Sequence, residues 1–209
     1  MSTASASIPA VSTDRSRSIF TVFRHRDYTV FWSGALVSNT GSWMQTATVP
    51  FVLFELTGST TWLGVSAFLA FFPALLVGPL AGTLADRVSR RGVILCAQSV
   101  MMVVAFSLWA FWVTGNATPG IIVIHLCVSG LAAGISIASW QAFVPQLVPP
   151  GDLVNAVRLN SMQFMAARAF GPALAGIALA VFGPGTTFLA NALSFVVVIA
   201  AILAVHPTP

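Results

Sequence analysis

The chain has 209 residues, 57% of them hydrophobic and only 7% charged, with a mean hydropathy of +0.91. A soluble domain carries roughly 25% charged residues, so the composition excludes a water-facing globule and reads as an integral membrane protein. The formal net charge of +4 rests on nine basic side chains, all arginine; they fall in short segments between apolar runs and read as topology determinants rather than a nucleic-acid surface.

Residues 1–18 are rich in Ser, Thr and Ala without an apolar core, which fits a disordered cytoplasmic tail. Residues 19–27 mix Ile19, Phe20, Val22 and Phe23 with Arg24 and Arg26, the pattern of a short helix lying at the membrane surface. Residues 28–205 form a six-helix transmembrane bundle, with spans expected at 29–54, 61–84, 93–114, 120–143, 155–181 and 186–205. Turn residues separate them: Thr57-Gly58-Ser59, Gly115-Asn116, Pro149-Pro150-Gly151 and Gly183-Pro184-Gly185. The fold class is therefore all-α, one membrane bundle, and residues 206–209 read as the start of a cytoplasmic linker. Arginines cluster before span 1 (Arg15, Arg17, Arg24, Arg26) and between spans 2 and 3 (Arg87, Arg90, Arg91), while the opposite side carries Glu55 and no arginine. This places both termini in the cytoplasm.

Two spans carry polar stripes. Ser38, Asn39, Ser42, Gln45 and Thr46 in span 1 fall within about 120° of arc. His125, Ser129, Ser136 and Ser139 in span 4 fall within about 80°. Such stripes either line a substrate-accessible cavity or bond neighbouring helices, and both readings stand at this point. Gly78/Gly82 and Gly130/Gly134 are spaced for close helix approach. Pro50, Pro73 and Pro172 favour bends. Arg168 is the charge set well inside a span, either an anion or substrate contact or a packing arginine that reaches the interface. No Asp or Glu lies deep in a span, so His125 is the weak candidate for proton coupling. Cys96 and Cys127 fall at opposite depths and are expected as two buried, unbonded thiols. No phosphate loop, metal spacing or catalytic triad is visible, so neither an enzyme nor a cofactor is expected.

The segment Gly82-Thr83-Leu84-Ala85-Asp86-Arg87-Val88-Ser89-Arg90-Arg91 resembles the loop between helices 2 and 3 of major facilitator superfamily transporters, with Ser89 in place of the usual second glycine. Phe23-Arg24-His25-Arg26-Asp27-Tyr28, Ser38 to Gln45, Leu56-Thr57-Gly58-Ser59, Asn160-Ser161 and Arg168 to Pro172 are similar to its enterobactin-exporter-like branch, which includes macrolide-type efflux proteins. The resemblance implies efflux of drug- or siderophore-like small molecules by alternating access, in a bacterial cell (inner) membrane. It also implies a cytoplasmic latch in which Gly82, Asp86, Arg87, Arg90 and Arg91 hold the loop and Asp86 meets a helix of a second bundle. Such transporters have twelve spans, and six are present. A second six-helix half is thus the expected partner, in the same chain or another, beside the lipid bilayer and a small-molecule substrate. A truncated product, a dimerising half and a paired half all fit. The alternative is a non-transporting six-helix protein that pairs with a full-length transporter.

Overall fold

The computed structural model describes the backbone of residues 18–85 and 88–206, and their side chains outside 79–85. A 3-10 turn, Ile19–Arg24, leads into α1 (Arg26–Thr57), followed by α2 (Thr61–Ala85), α3 (Arg90–Val113), α4 (Pro119–Phe143), α5 (Leu153–Phe182) and α6 (Pro184–Ala204). Every expected span is present as a helix, with ends within three residues of the expectation. The surface segment is shorter than the 19–27 expected, because α1 already begins at Arg26. Residues 1–17 and 207–209, and with them the expectations of a disordered tail and a linker, lie outside the described residues, as do Asp86 and Arg87.

The helix ends follow from local chemistry. Gly58 adopts the left-handed conformation and its N–H closes on the Phe54 carbonyl at 2.8 Å, which ends α1. The Thr118 side chain accepts from the Ile121 N–H at 3.3 Å and Pro119 occupies the first turn, which starts α4. Gly183, at φ 77°, makes the sharp reversal into Pro184 between α5 and α6.

Helices α2 to α6 are each long and apolar enough to cross a membrane. α1 is longer than any of them, at 32 residues, but its amide and hydroxyl residues lower its hydropathy. α1 packs between α5 and α6, α4 packs between α2 and α3, and α3 against α6 joins the two groups. α2 and α5 stand at the ends of this chain of neighbours and are the least buried, with Leu75, Leu76, Phe170 and Ile177 each more than half exposed.

Close approach depends on particular glycines. A Cβ on Gly134 would lie 2.7 Å from the Ala74 Cα, and one on Gly130 would lie 3.1 Å from the Pro73 side chain. The small-residue reading therefore holds for Gly130/Gly134, which seat α2 on α4. Nothing lies within 4 Å of a Cβ placed on Gly78, and the position of Gly82 is outside the described side chains. Cys127 is half-buried, whereas Cys96 is exposed, which corrects the expectation of two buried thiols: α3 turns Cys96 outward.

Candidate functional site

α1 and α5 run parallel and are joined at successive levels. At the arginine-rich end, His25 Nε2 lies 2.8 Å from Asp152 Oδ2. The Tyr28 hydroxyl donates to the Ala156 carbonyl (2.8 Å) and the Trp32 indole N–H to the Leu159 carbonyl (3.0 Å). Halfway along, Asn39 Nδ2 donates to Gln163 Oε1 at 3.3 Å. One turn further the Arg168 guanidinium lies over the Trp43 ring, 5.2 Å from its centroid. Partners in these four bonds stay 124 to 128 residues apart, so the two helices run in the same direction and nearly in register. A Cβ on Gly171 would stand 2.5 Å from Trp43 Cβ, so this glycine lets the helices touch beside Arg168.

The stripe of α1 is divided among its neighbours. Asn39 turns to α5, while Ser42 and Gln45 turn to α6, where Asn191 Nδ2 donates to Gln45 Oε1 (2.8 Å) and Asn191 Oδ1 accepts from Ser42 (3.4 Å). Thr46 bonds back to the Ser42 carbonyl at 2.8 Å, and Ser38 is buried. On α4, Ser129 is half-buried, while Ser136 and Ser139 are buried within the bundle rather than on its open face. Ser136 bonds the Ala133 carbonyl at 3.0 Å, and Ser139 Oγ has no partner among the described residues. The structure thus brings Asn39, Ser42 and Gln45 into one polar seam with Gln163 and Asn191, and keeps the α4 serines apart from it. Arg168 lies exposed on α5 beside this seam.

His125 links α4 to α3. Its Nδ1 lies 2.7 Å from the Ile121 carbonyl, which can only accept, so Nδ1 carries a proton. In the neutral ring Nε2 then accepts from the Ser107 hydroxyl, 2.8 Å away. The Val104 carbonyl lies 2.9 Å from the same hydroxyl and offers it an alternative acceptor.

Of the loop residues, Arg90 donates to the Ala142 carbonyl at the end of α4 (3.1 Å) and Arg91 to the Leu203 carbonyl at the end of α6 (2.8 Å). Cationic donors on C-terminal carbonyls are favourably placed against the helix dipole. Asp86 and Arg87, and the surroundings of Gly82, lie outside the described residues.

Two cavities lie at the ends of the bundle. One, about 460 Å³, is lined by Trp109, Trp112 and the Gly183–Thr186 turn; the other, about 420 Å³, by His25, Arg26, Asp27, Pro149 and His206. Neither is lined by the stripe residues. Sequence reasoning missed Asn191, Gln163, Ser107 and the His25–Asp152 pair. An amide inside an apolar run was a usable signal for Asn191 and Gln163, because such a group needs a partner. Nothing local to His25 pointed to a residue 127 positions away.

Comparison with known proteins agrees with this architecture. Residues 17–208 match the family model described as a transmembrane secretion effector of the MFS type. The chain is similar to the staphyloferrin A transporter of Staphylococcus aureus (strain NCTC 8325 / PS 47), 26% identical over 177 residues that are 84% of this chain and 45% of that protein. It is also similar to macrolide efflux protein A of Streptococcus pyogenes, 26% identical over 162 residues, 74% of this chain and 38% of that protein. A third relative is the uncharacterized MFS-type transporter YfiS of Bacillus subtilis (strain 168), 24% identical over 76% of this chain and 37% of that protein. The aligned regions cover less than half the length of these curated relatives.

Proposed function

The chain belongs to the transmembrane secretion effector family of major-facilitator-type transporters, and on that premise we propose that it forms the N-terminal six-helix half of an exporter for amphipathic small molecules. Such a half works against a second six-helix bundle, in the same or a separate chain, by alternating access. The observation that carries this reading is the exposed flank: α2 and α5 are the least buried of the candidate spans and present exposed apolar residues, with Arg168 beside those of α5. A second bundle seated there encloses a path between halves, with Asn39, Ser42, Gln45 and Arg168 on or near its wall.

The same proposal places the arginine-rich end in the cytoplasm of a bacterial inner membrane, both termini included. Arg90 and Arg91 tie the loop to the ends of α4 and α6, which supports a latch whose remaining parts are Gly82, Asp86 and Arg87. A carboxylate such as Asp86 suits a helix N-terminus of the opposite bundle. His125, whose ring bridges the Ile121 carbonyl and the Ser107 hydroxyl, remains the weak candidate for proton coupling.

The test is efflux of fluorescent amphipathic solutes from vesicles under an imposed ion gradient. The chain is assayed alone, as a tandem of two copies, and co-inserted with the second half of a relative. Gradient-dependent efflux in a paired form and none from the chain alone is expected. Absence of flux in every pairing refutes the reading.

A further inference from the structure

Arg168 is fifteen residues into the 30-residue α5, about 22 Å along its axis and near its midpoint. At that depth a charge is costly unless it is balanced or wetted. Among the described residues the acidic side chains are Asp27, Glu55 and Asp152, and none of them pairs with it. Asp27 and Asp152 lie at helix starts near the arginine-rich end, and Glu55 at the far end of α1. Among the described residues the guanidinium has one interaction, the Trp43 ring at 5.2 Å, which takes none of its five N–H donors.

The surroundings are built rather than loose. Trp43 is backed by Phe164 in an edge-on contact (centroids 6.0 Å apart, 70° between planes) and pressed against Gly171. The neighbouring amides bond one another, Asn39 with Gln163 and Gln45 with Asn191. Arg168 is thus a planar cation held on an aromatic wall, with its N–H donors unpartnered among the described residues.

We propose that Arg168, Trp43 and Phe164 form the binding site for the carboxylate of an amphipathic anion, whose apolar body lies along the two rings. A guanidinium presents paired donors that match a carboxylate in bidentate fashion while an aromatic ring covers its face. The proposal rests on the transporter reading and narrows its substrate class to organic anions. A fixed carboxylate on a companion bundle is the competing way to balance the charge.

The test uses the full chain in lipid nanodiscs and two probes of one shape, naphthalene-2-carboxylate and naphthalene-2-carboxamide, titrated by calorimetry against empty nanodiscs. The wild type is expected to bind the carboxylate at least about tenfold tighter than the amide, a margin of about 1.4 kcal/mol. Arg168→Gln removes that margin and leaves amide binding unchanged, and Arg168→Lys restores part of it. Three results overturn the proposal: equal affinities in the wild type, a carboxylate preference that survives Arg168→Gln, or no binding of either probe. Equal affinities assign Arg168 to a companion carboxylate instead. Because binding is read without flux, a chain that discriminates the probes but transports neither upholds the site and refutes the transport reading. Flux without discrimination does the reverse.

Discussion

Replacing Gly134 by alanine tests whether the α2–α4 seam depends on backbone contact. The added Cβ lies 2.7 Å from Ala74 Cα, 2.8 Å from Val77 Cγ2 and 2.9 Å from the Ala74 carbonyl oxygen. Carbon atoms pack at about 3.5–4.0 Å, so α2 has to retreat by about 1 Å, and two of the three obstructing atoms are backbone that no rotamer change can move. Overpacking of this kind costs about 1–3 kcal/mol. Alanine also favours a helix over glycine by about 1 kcal/mol, which masks part of the loss. Gly176→Ala is the matched control, because nothing lies within 4 Å of its Cβ and it too is inside a helix. The propensity term cancels between the variants, so the difference in their unfolding free energies isolates the clash. Gly134→Ala is expected to be less stable than Gly176→Ala by about 1–3 kcal/mol in detergent titration followed by tryptophan fluorescence. Stabilities equal within about 0.5 kcal/mol, the usual tolerance for independent sites, refute the claim that Gly134 sets the helix separation.

Asn191→Ala, which leaves Gln45 and Ser42 without their α6 partner, is expected to cost about 1 kcal/mol by the same titration, at about 0.6 kcal/mol per membrane hydrogen bond. His25→Ala and Asp152→Ala are expected to be non-additive, with a coupling of about 0.5–2 kcal/mol in a double-mutant cycle, since the two groups meet at 2.8 Å with side chains only 31% and 12% exposed. In a background with Cys96 and Cys127 replaced by serine, Ser89→Cys should react with an impermeant maleimide only from the cytoplasm, and Asn116→Cys only from outside. Both positions are exposed at opposite ends of α3, and the reverse pattern inverts the proposed orientation.

The six helices were legible because a bilayer leaves a chain few choices: apolar runs of about twenty residues bounded by Gly, Pro and Arg. Helix neighbours were not legible in the same way. The stripe of α1 shows one polar arc whichever helix faces it, and its division between Gln163 on α5 and Asn191 on α6 follows from packing between residues more than 120 positions apart. Ser136 and Ser139 illustrate the converse: a serine is small enough to be buried between helices, so spacing alone did not separate an inward hydroxyl from a cavity wall. Arg168 was conspicuous from its charge, while its aromatic partner was not, since tryptophan in a membrane span has many uses.

The bonding of the α1 stripe bears on how such a bundle can move. Alternating access by rocking requires each half to turn as a unit, and a unit is stiff only where its helices are fixed to one another. Here α1 is fixed to α5 at the His25, Tyr28, Trp32 and Asn39 levels, and to α6 through Ser42 and Gln45. Gly34 and Gly41 let the α6 backbone come within contact of the same helix. Polar groups committed to these bonds are poor candidates for exchanging partners with a passing solute, since breaking one leaves a neighbour unpaired in hydrocarbon. If the proposed transport holds, their role is separable from recognition: loosening them should slow transport of every solute alike, whereas altering Arg168 should change which solutes are carried.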